Sequence, residues 1–224
     1  MAKRHEEKYL LDLSQYSVLK ARVQAVLKPD KYYENGTYTV SSLYFDDESL
    51  SAYHDKEEGI GVHVKYRIRT YNQSSSRIIL ECKTKEGQIT EKKSAVISKK
   101  ECMKLSSGKI VINPDDSDVL KTLKAEMLQN QLKPSTVVKY KREAYVYEPL
   151  GVRITFDSMI ESLPATPYCL VMEGAIALPA LPRNTVIMEV KYNDRLPAMI
   201  KRLCTSNAQK ISVSKYALCK LAKY

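Results

Sequence analysis

A chain of 224 residues with 44% hydrophobic and 28% charged side chains has the apolar content for a substantial core, which excludes intrinsic disorder. Its formal net charge of +10 points to a polyanionic partner: nucleic acid, an anionic membrane surface or a phosphate-rich small molecule. The five cysteines, at 82, 102, 169, 204 and 219, form no close metal-binding pair and leave one over, which fits reduced thiols in a cytoplasmic protein. The stretch 168–182 is broken by Glu173 and Pro179, so no membrane span is expected.

The opening residues Arg4 to Leu10 read as a strand with Arg4, Glu6 and Lys8 on one parity, where a signal peptide would carry an apolar run. Ser14 can cap a helix through Leu27, with Val18, Leu19, Val23, Val26 and Leu27 as its apolar stripe and Pro29 beyond its end. After a loop at 31–35, Thr37 to Phe45 reads as a strand, and Asp46 and Asp47 open a short acidic helix with Leu50 and Tyr53 as its buried side. Asp46, Asp47, Asp55, Glu57 and Glu58 can be read as metal ligands or as helix-terminus and surface charges, and the first-turn preference of acidic residues favours the second reading.

Gly59 and Gly61 turn the chain into Val62 to Tyr71. The polar loop at 72–76 leads to a strand from Arg77, and a tight turn at 85–87 leads to the strand Thr90 to Ile97. Two hairpins in succession predict an antiparallel meander. Ser98 and Glu101 have capping-box spacing for a short helix ending near Gly108, and Asp116 to Leu132 reads as a longer helix before Pro134. Strands follow at Thr136 to Tyr147, Val152 to Asp157 and, after the Pro-rich 164–182, Val186 to Tyr192. In Thr136 to Tyr147 Lys139 and Lys141 share one face while Arg142 shares the other with Tyr140 and Ala144, an untidy parity that a bulge could reconcile. Arg195 to Leu203 and Ile211 to Leu221 are helix candidates. Strands in hairpins, without regular βαβ alternation, give an antiparallel α+β fold, and 1–224 reads as a single domain.

The two-residue period separates charge from grease in strand after strand. Val62 to Tyr71 places Val64, Tyr66 and Ile68 on one face and His63, Lys65, Arg67 and Arg69 on the other. The same separation sets Glu81 and Lys83 against Leu80 and Cys82, Glu189 and Lys191 against Met188 and Val190, and Arg153, Thr155 and Asp157 against Ile154 and Phe156. One such strand is a solvated edge. Five of them are too many for one edge; if their sheet closes on itself, the polar faces line a basic lumen and the apolar faces pack outward against helices, inside out relative to an ordinary barrel. Cations lining such a lumen suit a chain of phosphates, and its carboxylates suit Mg²⁺ or Mn²⁺. From strand parity Lys65, Lys93 and Arg153 join the phosphate-facing set. His5, His54 and His63 read as structural. No Gly-rich phosphate loop, nucleophile elbow or nucleic-acid-reading signature occurs.

Glu6 and Lys8 in Glu-Lys-Tyr, Arg67 and Arg69 in Tyr-Arg-Ile-Arg-Thr-Tyr, Lys83 in Glu-Cys-Lys-Thr, Arg142 in Tyr-Lys-Arg-Glu-Ala, Glu189 in Met-Glu-Val-Lys-Tyr and Lys215 in Ser-Lys-Tyr follow one another along the chain. Together they resemble the catalytic domain of the vacuolar transporter chaperone (VTC) polyphosphate polymerases, within the triphosphate tunnel metalloenzymes, from about Arg4 to Tyr216. The resemblance implies a closed antiparallel β-barrel with a polar, basic lumen and helices packed outside, a tunnel enzyme that transfers the terminal phosphoryl group of ATP or another nucleoside triphosphate to inorganic polyphosphate. It implies that Lys8, Arg67, Arg69, Lys83, Arg142, Lys191 and Lys215 clamp phosphates and that Glu189, supported by Glu6 and Glu81, holds the metal. A tunnel triphosphatase and a non-catalytic polyanion-binding module are the alternatives. The phosphoinositide-binding and membrane segments that accompany the domain in eukaryotic complexes are not expected here, and neither is a specific nucleic-acid partner.

Overall fold

The computed structural model describes residues 4–30, 36–54, 62–86, 89–171, 175–205, 207–212 and 214–222. In chain order the elements are β1 (Arg4–Asp12), α1 (Leu13–Gln24), β2 (Lys28–Pro29), β3 (Tyr38–Asp46), α2 (Ser51–His54), β4 (Val62–Tyr71), β5 (Ile78–Glu86), β6 (Ile89–Ile97), α3 (Lys99–Ser106), α4 (Asp118–Gln129) and β7 (Lys133–Tyr147). A 3-10 turn (Glu148–Leu150) then leads to β8 (Val152–Leu163), α5 (Tyr168–Val171), β9 (Leu178–Pro179), β10 (Thr185–Asn193), α6 (Ala198–Leu203), β11 (Gln209–Lys210) and α7 (Lys215–Leu221). The antiparallel, β-rich α+β architecture is the one expected. The chain forms two compact units, Met1–Thr39 with Tyr140–Ile160 and Leu181–Ser214, and Val40–Lys139 with Glu161–Ala180 and Lys215–Tyr224. The strands β3, β7 and β8 have residues in both.

In the first unit the strand order is β11-β1-β10-β8-β7, with β2 on β7. Its core is built from alternate residues of these strands, among them Leu11, Tyr145, Ile154, Phe156, Val186, Met188 and Val190, closed by Leu19 and Val23 of α1. Each such side chain, taken fully out of water, stabilises the unit by about 1.5–3 kcal/mol. The helix begins before the expected Ser14. The Asp12 carboxylate accepts the Gln15 N–H at 2.8 Å and the Gln15 side chain returns to the Asp12 N–H at 3.1 Å, a reciprocal capping box, while Ser14 donates to Asp12. Val18 and Val26, expected in the stripe, are exposed, and the buried line is Leu19, Val23 and Leu27. The turn into β8 requires Gly151, whose φ is +60° and where a Cβ would stand 2.8 Å from the Asn193 side chain.

In the second unit β3, β4, β5 and β6 form the expected meander. Leu43, Phe45, Ile68, Ile78 and Leu80 face one way and pack with Leu105 of α3 and Leu123 of α4. Ser98 caps α3 by accepting the Glu101 N–H at 3.1 Å, as its spacing predicts. Within α4, Leu128 is exposed, and the fully buried Lys124 reaches Glu101 at 2.6 Å and Asp116 at 2.8 Å, which ties α3 to the start of α4. The acidic helix expected at Asp46 is not there. Asp46 ends β3, α2 starts at Ser51, and the two aspartates serve as caps, Asp46 for the Ala52 N–H at 2.8 Å and Asp47 for the Ser51 N–H at 3.0 Å. The last helix starts at Lys215 and not at Ile211. Asp55, Glu57, Glu58, Gly59, Gly61, Gly87 and the loop 31–35 lie outside the described residues. Among the described residues no helix is long and apolar enough to cross a membrane.

Candidate polyanion-binding faces

The period-2 separation read from the sequence is realised in both units. In the second, β4, β5 and β6 pair so that Lys65 stands opposite Lys83 and Lys83 opposite Lys92. Like charges placed directly across neighbouring strands, about 4.8 Å apart, repel one another. The next row holds Tyr44, Arg67, Glu81 and Ser94, and the row after it Ser42, Arg69 and Ile79. Arg67 binds Glu81 through Nε at 2.6 Å and donates to the Tyr44 hydroxyl at 3.0 Å; Arg69 donates to Ser42 at 3.0 Å and lies 3.7 Å from Glu81, which also pairs with Lys92. Burial alone would raise the Glu81 carboxyl, but Arg67, Arg69 and Lys92 outweigh it and hold it down at about 2. The Tyr44 hydroxyl behaves alike: burial raises it, and the charges of Arg67 and Arg69, Arg67's hydrogen bond and Lys215 bring it below the ordinary phenol value.

In the first unit each row mixes the two signs. Glu6 stands opposite Lys191 and Lys191 opposite Arg153; Lys8 stands opposite Glu189 and Glu189 opposite Thr155. Lys8 pairs with Glu6 at 3.0 Å, and Lys191 reaches Glu189 at 3.1 Å and Glu6 at 3.6 Å. Arg142 grips the fully buried Asp157 with two hydrogen bonds of 2.6 and 2.7 Å, lies 3.7 Å from Glu189 and covers the Tyr140 ring at 5.1 Å. Burial pushes the Lys191 ammonium below the usual lysine value, Arg142 adds to the depression, and Glu189 and Glu6 offset it only in part. Arg153 donates to Asp30 at 2.7 Å and Tyr38 at 3.0 Å. Its Nε and the Thr155 hydroxyl are buried without a hydrogen-bond partner among the described residues, which is the exception in folded proteins.

Of the expected phosphate residues, Lys65, Arg67, Arg69 and Lys83 share the charged face of the second unit, with Lys215 near enough to Tyr44 to act on its hydroxyl. Lys8, Arg142, Arg153 and Lys191 share that of the first. Lys93 does not join them: it pairs across from Cys82, whose side chain faces the core, and extends to solvent 3.6 Å from Glu91. The register gives its place to Lys92. Counting from the Glu86–Ile89 pair along both strands gives this register. The parity of β7 resolves with Arg142 on the charged side and Glu143 turned away, toward Tyr16 and Lys20. Asp157, Tyr44, Ser42 and Asp30 were not singled out, since nothing local marks an acid or hydroxyl as an arginine's partner.

The expected metal ligands are all engaged by cations: Glu6 by Lys8 and Lys191, Glu189 by Lys191 and Arg142, Glu81 by Arg67 and Lys92. Among the described residues no three His, Cys, Asp or Glu side chains are grouped to hold a metal ion. A cavity of about 560 Å³ lies on the other side of the second unit's strands, against Phe45, Val64 and Tyr66. Its Asp47, Glu48 and Glu126 carboxylates repel a polyanion.

The strands turn cations and carboxylates to one side and their apolar residues to covering helices, in an antiparallel, β-rich α+β fold. Within that class the chain belongs to the VTC domain family, whose model matches residues 3–222. Among solved structures it is similar to a Hippeastrum protein described as an adenylyl cyclase with a dominant triphosphatase activity, at 14% identity and TM-score 0.56, over 99% of this chain and 96% of that one. It is also similar to a protein from Bacillus halodurans described as an adenylate cyclase, at 13% identity and TM-score 0.50, over 85% and 81% of the two chains. A comparison with curated proteins finds no match.

Proposed function

We propose that this protein is a divalent-metal-dependent polyphosphate polymerase. In the reaction, the bond between the terminal phosphorus of ATP and its bridging oxygen breaks as an oxygen of the chain end bonds to that phosphorus, and the nucleoside diphosphate leaves. The observation that carries the reading is the line of Lys65, Lys83 and Lys92, three like charges on neighbouring strands beside Arg67 and Arg69. A linear anion lying across that line would meet three cations in succession, besides the Ala52 carbonyl that Lys65 reaches and the Glu81 carboxylate that Lys92 pairs with. The unpartnered Thr155 hydroxyl and Arg153 Nε give the first unit two further donors for phosphate oxygens. Phosphoryl transfer suits such faces because it depends on alignment and on neutralising charge on the group in flight.

Arg67, Arg69, Lys83, Arg142 and Lys215 are the residues proposed to act on the transferring phosphates, with Lys8, Lys65, Arg153 and Lys191 holding the chain. Closure of the strands into a tunnel, and the action of the whole chain as one domain, are parts of the same proposal. Mn²⁺ or Mg²⁺ would lend positive charge to the triphosphate, and Glu189 and Glu6 carry the oxygen chemistry to meet it. As they stand, Glu6 is held by Lys8 and Lys191, and Glu189 by Lys191 and Arg142. The second reading is a tunnel triphosphatase with water as acceptor; the activity described for the Hippeastrum protein favours keeping it. Incubation with ATP and Mn²⁺ or Mg²⁺, followed by phosphorus NMR, separates the two. Polymerase activity gives internal-chain resonances and nucleoside diphosphate, whereas orthophosphate without chains selects the triphosphatase.

A further inference from the structure

Asp46 sits at the end of β3, 3% exposed, and its two oxygens have different partners. Oδ1 accepts the backbone N–H of Asp47 at 3.0 Å and of Ala52 at 2.8 Å, which fixes the start of α2. The carbonyl of that same Ala52 receives the ammonium of Lys65. Oδ2 accepts the hydroxyl of Tyr216, the residue after Lys215 in α7. The Tyr216 ring stacks on Tyr44 at 4.9 Å, and Tyr44 in turn accepts from Arg67 at 3.0 Å.

We infer that Asp46 is a positioning residue for the polyanion face: through α2 it places Lys65, and through Tyr216 it places Lys215. The inference rests on the proposed phosphate-binding role of that face. A carboxylate suits the task because both of its oxygens accept with negative charge; an asparagine would keep α2 through its oxygen and could still donate its amide to the Tyr216 oxygen, so only removal of the side chain frees both elements. The strand end, the short helix and the C-terminal helix are thereby held by one side chain, in a unit where α2 itself is too short to be rigid alone.

The test is calorimetric titration of the full chain with inorganic tripolyphosphate, for the wild type, Asp46→Ala, Lys65→Met, Lys215→Met and Asp46→Ala combined with each lysine change. Asp46→Ala should weaken binding about tenfold or more, the scale of a lost charge-assisted contact. In its background each lysine change should cost less than it does alone, because the lysine is already displaced. A purely structural Asp46 predicts full additivity, and that result, or unchanged affinity, overturns the inference. Should Asp46→Ala fail to fold, Tyr216→Phe takes its place, with its loss additive to Lys65→Met and non-additive with Lys215→Met; the reverse pattern refutes the assignment. Absence of tripolyphosphate binding by the wild type would instead overturn the polyanion reading itself.

Discussion

Removing the Glu81 carboxylate is the sharpest probe of the charged face. Glu81 is 3% exposed and compensates Arg67, Arg69 and Lys92 at once. A carboxyl held at about 2 in place of its ordinary 4.5 reports an interaction of about 3 kcal/mol, since each tenfold in protonation equilibrium is worth about 1.36 kcal/mol. That agrees with the roughly 3–5 kcal/mol lost when one partner of a buried pair is removed. Glu81→Gln should therefore lower the unfolding free energy by about 3 kcal/mol in phosphate-free buffer at neutral pH, measured by urea unfolding with circular dichroism. The depressed value fixes the sign with pH. In the wild type this contribution is complete above the ordinary carboxylate value and disappears as pH falls from about 4.5 toward 2, so the wild type and Glu81→Gln should converge there. Tripolyphosphate should raise the variant's midpoint more than the wild type's, because its arginines then lack their internal anion. A variant as stable as the wild type, with an unchanged response to tripolyphosphate, would refute the account of this network.

Two further outcomes follow from register and burial. Lys92→Ala should weaken tripolyphosphate binding severalfold and lower its salt dependence, whereas Lys93→Ala should leave both unchanged; equal effects in a salt-dependent titration would contradict the pairing of β5 with β6. Arg142→Ala leaves Asp157, 0% exposed, without the two hydrogen bonds it accepts from Arg142 and should destabilise by about 3–5 kcal/mol in chemical denaturation, while Arg142→Ala combined with Asp157→Ala should recover part of that loss.

How much of this was legible beforehand depends on how local each cause is. The alternation of Val64, Tyr66 and Ile68 with Lys65, Arg67 and Arg69 is visible in ten residues, because successive side chains of a strand point to opposite faces whatever it pairs with. The cap of α3 at Ser98 was legible for the same reason. Lys93 was placed on the charged side because parity was assigned to β6 in isolation, while its true side depends on the turn that sets the register with β5. Asp12 took the cap expected of Ser14 because strand β1 runs up to it and Gln15 answers its carboxylate, a choice between two good capping residues that composition leaves open.

Asp157 beneath Arg142, and Asp46 between α2 and Tyr216, are separated from their partners by 15 and 170 positions. No pattern within the chain identifies such pairs, because a carboxylate reads alike whether it meets water, a backbone N–H or a guanidinium. What the sequence determined by itself was therefore the side of each strand on which charge would lie, the antiparallel meander and the apolar stripes of the helices, all fixed by short-range geometry. Which charges meet, which acid is buried against which arginine and which lysines stand in line were decided by strand register and helix docking, since desolvation and pairing act only between groups that folding has brought together.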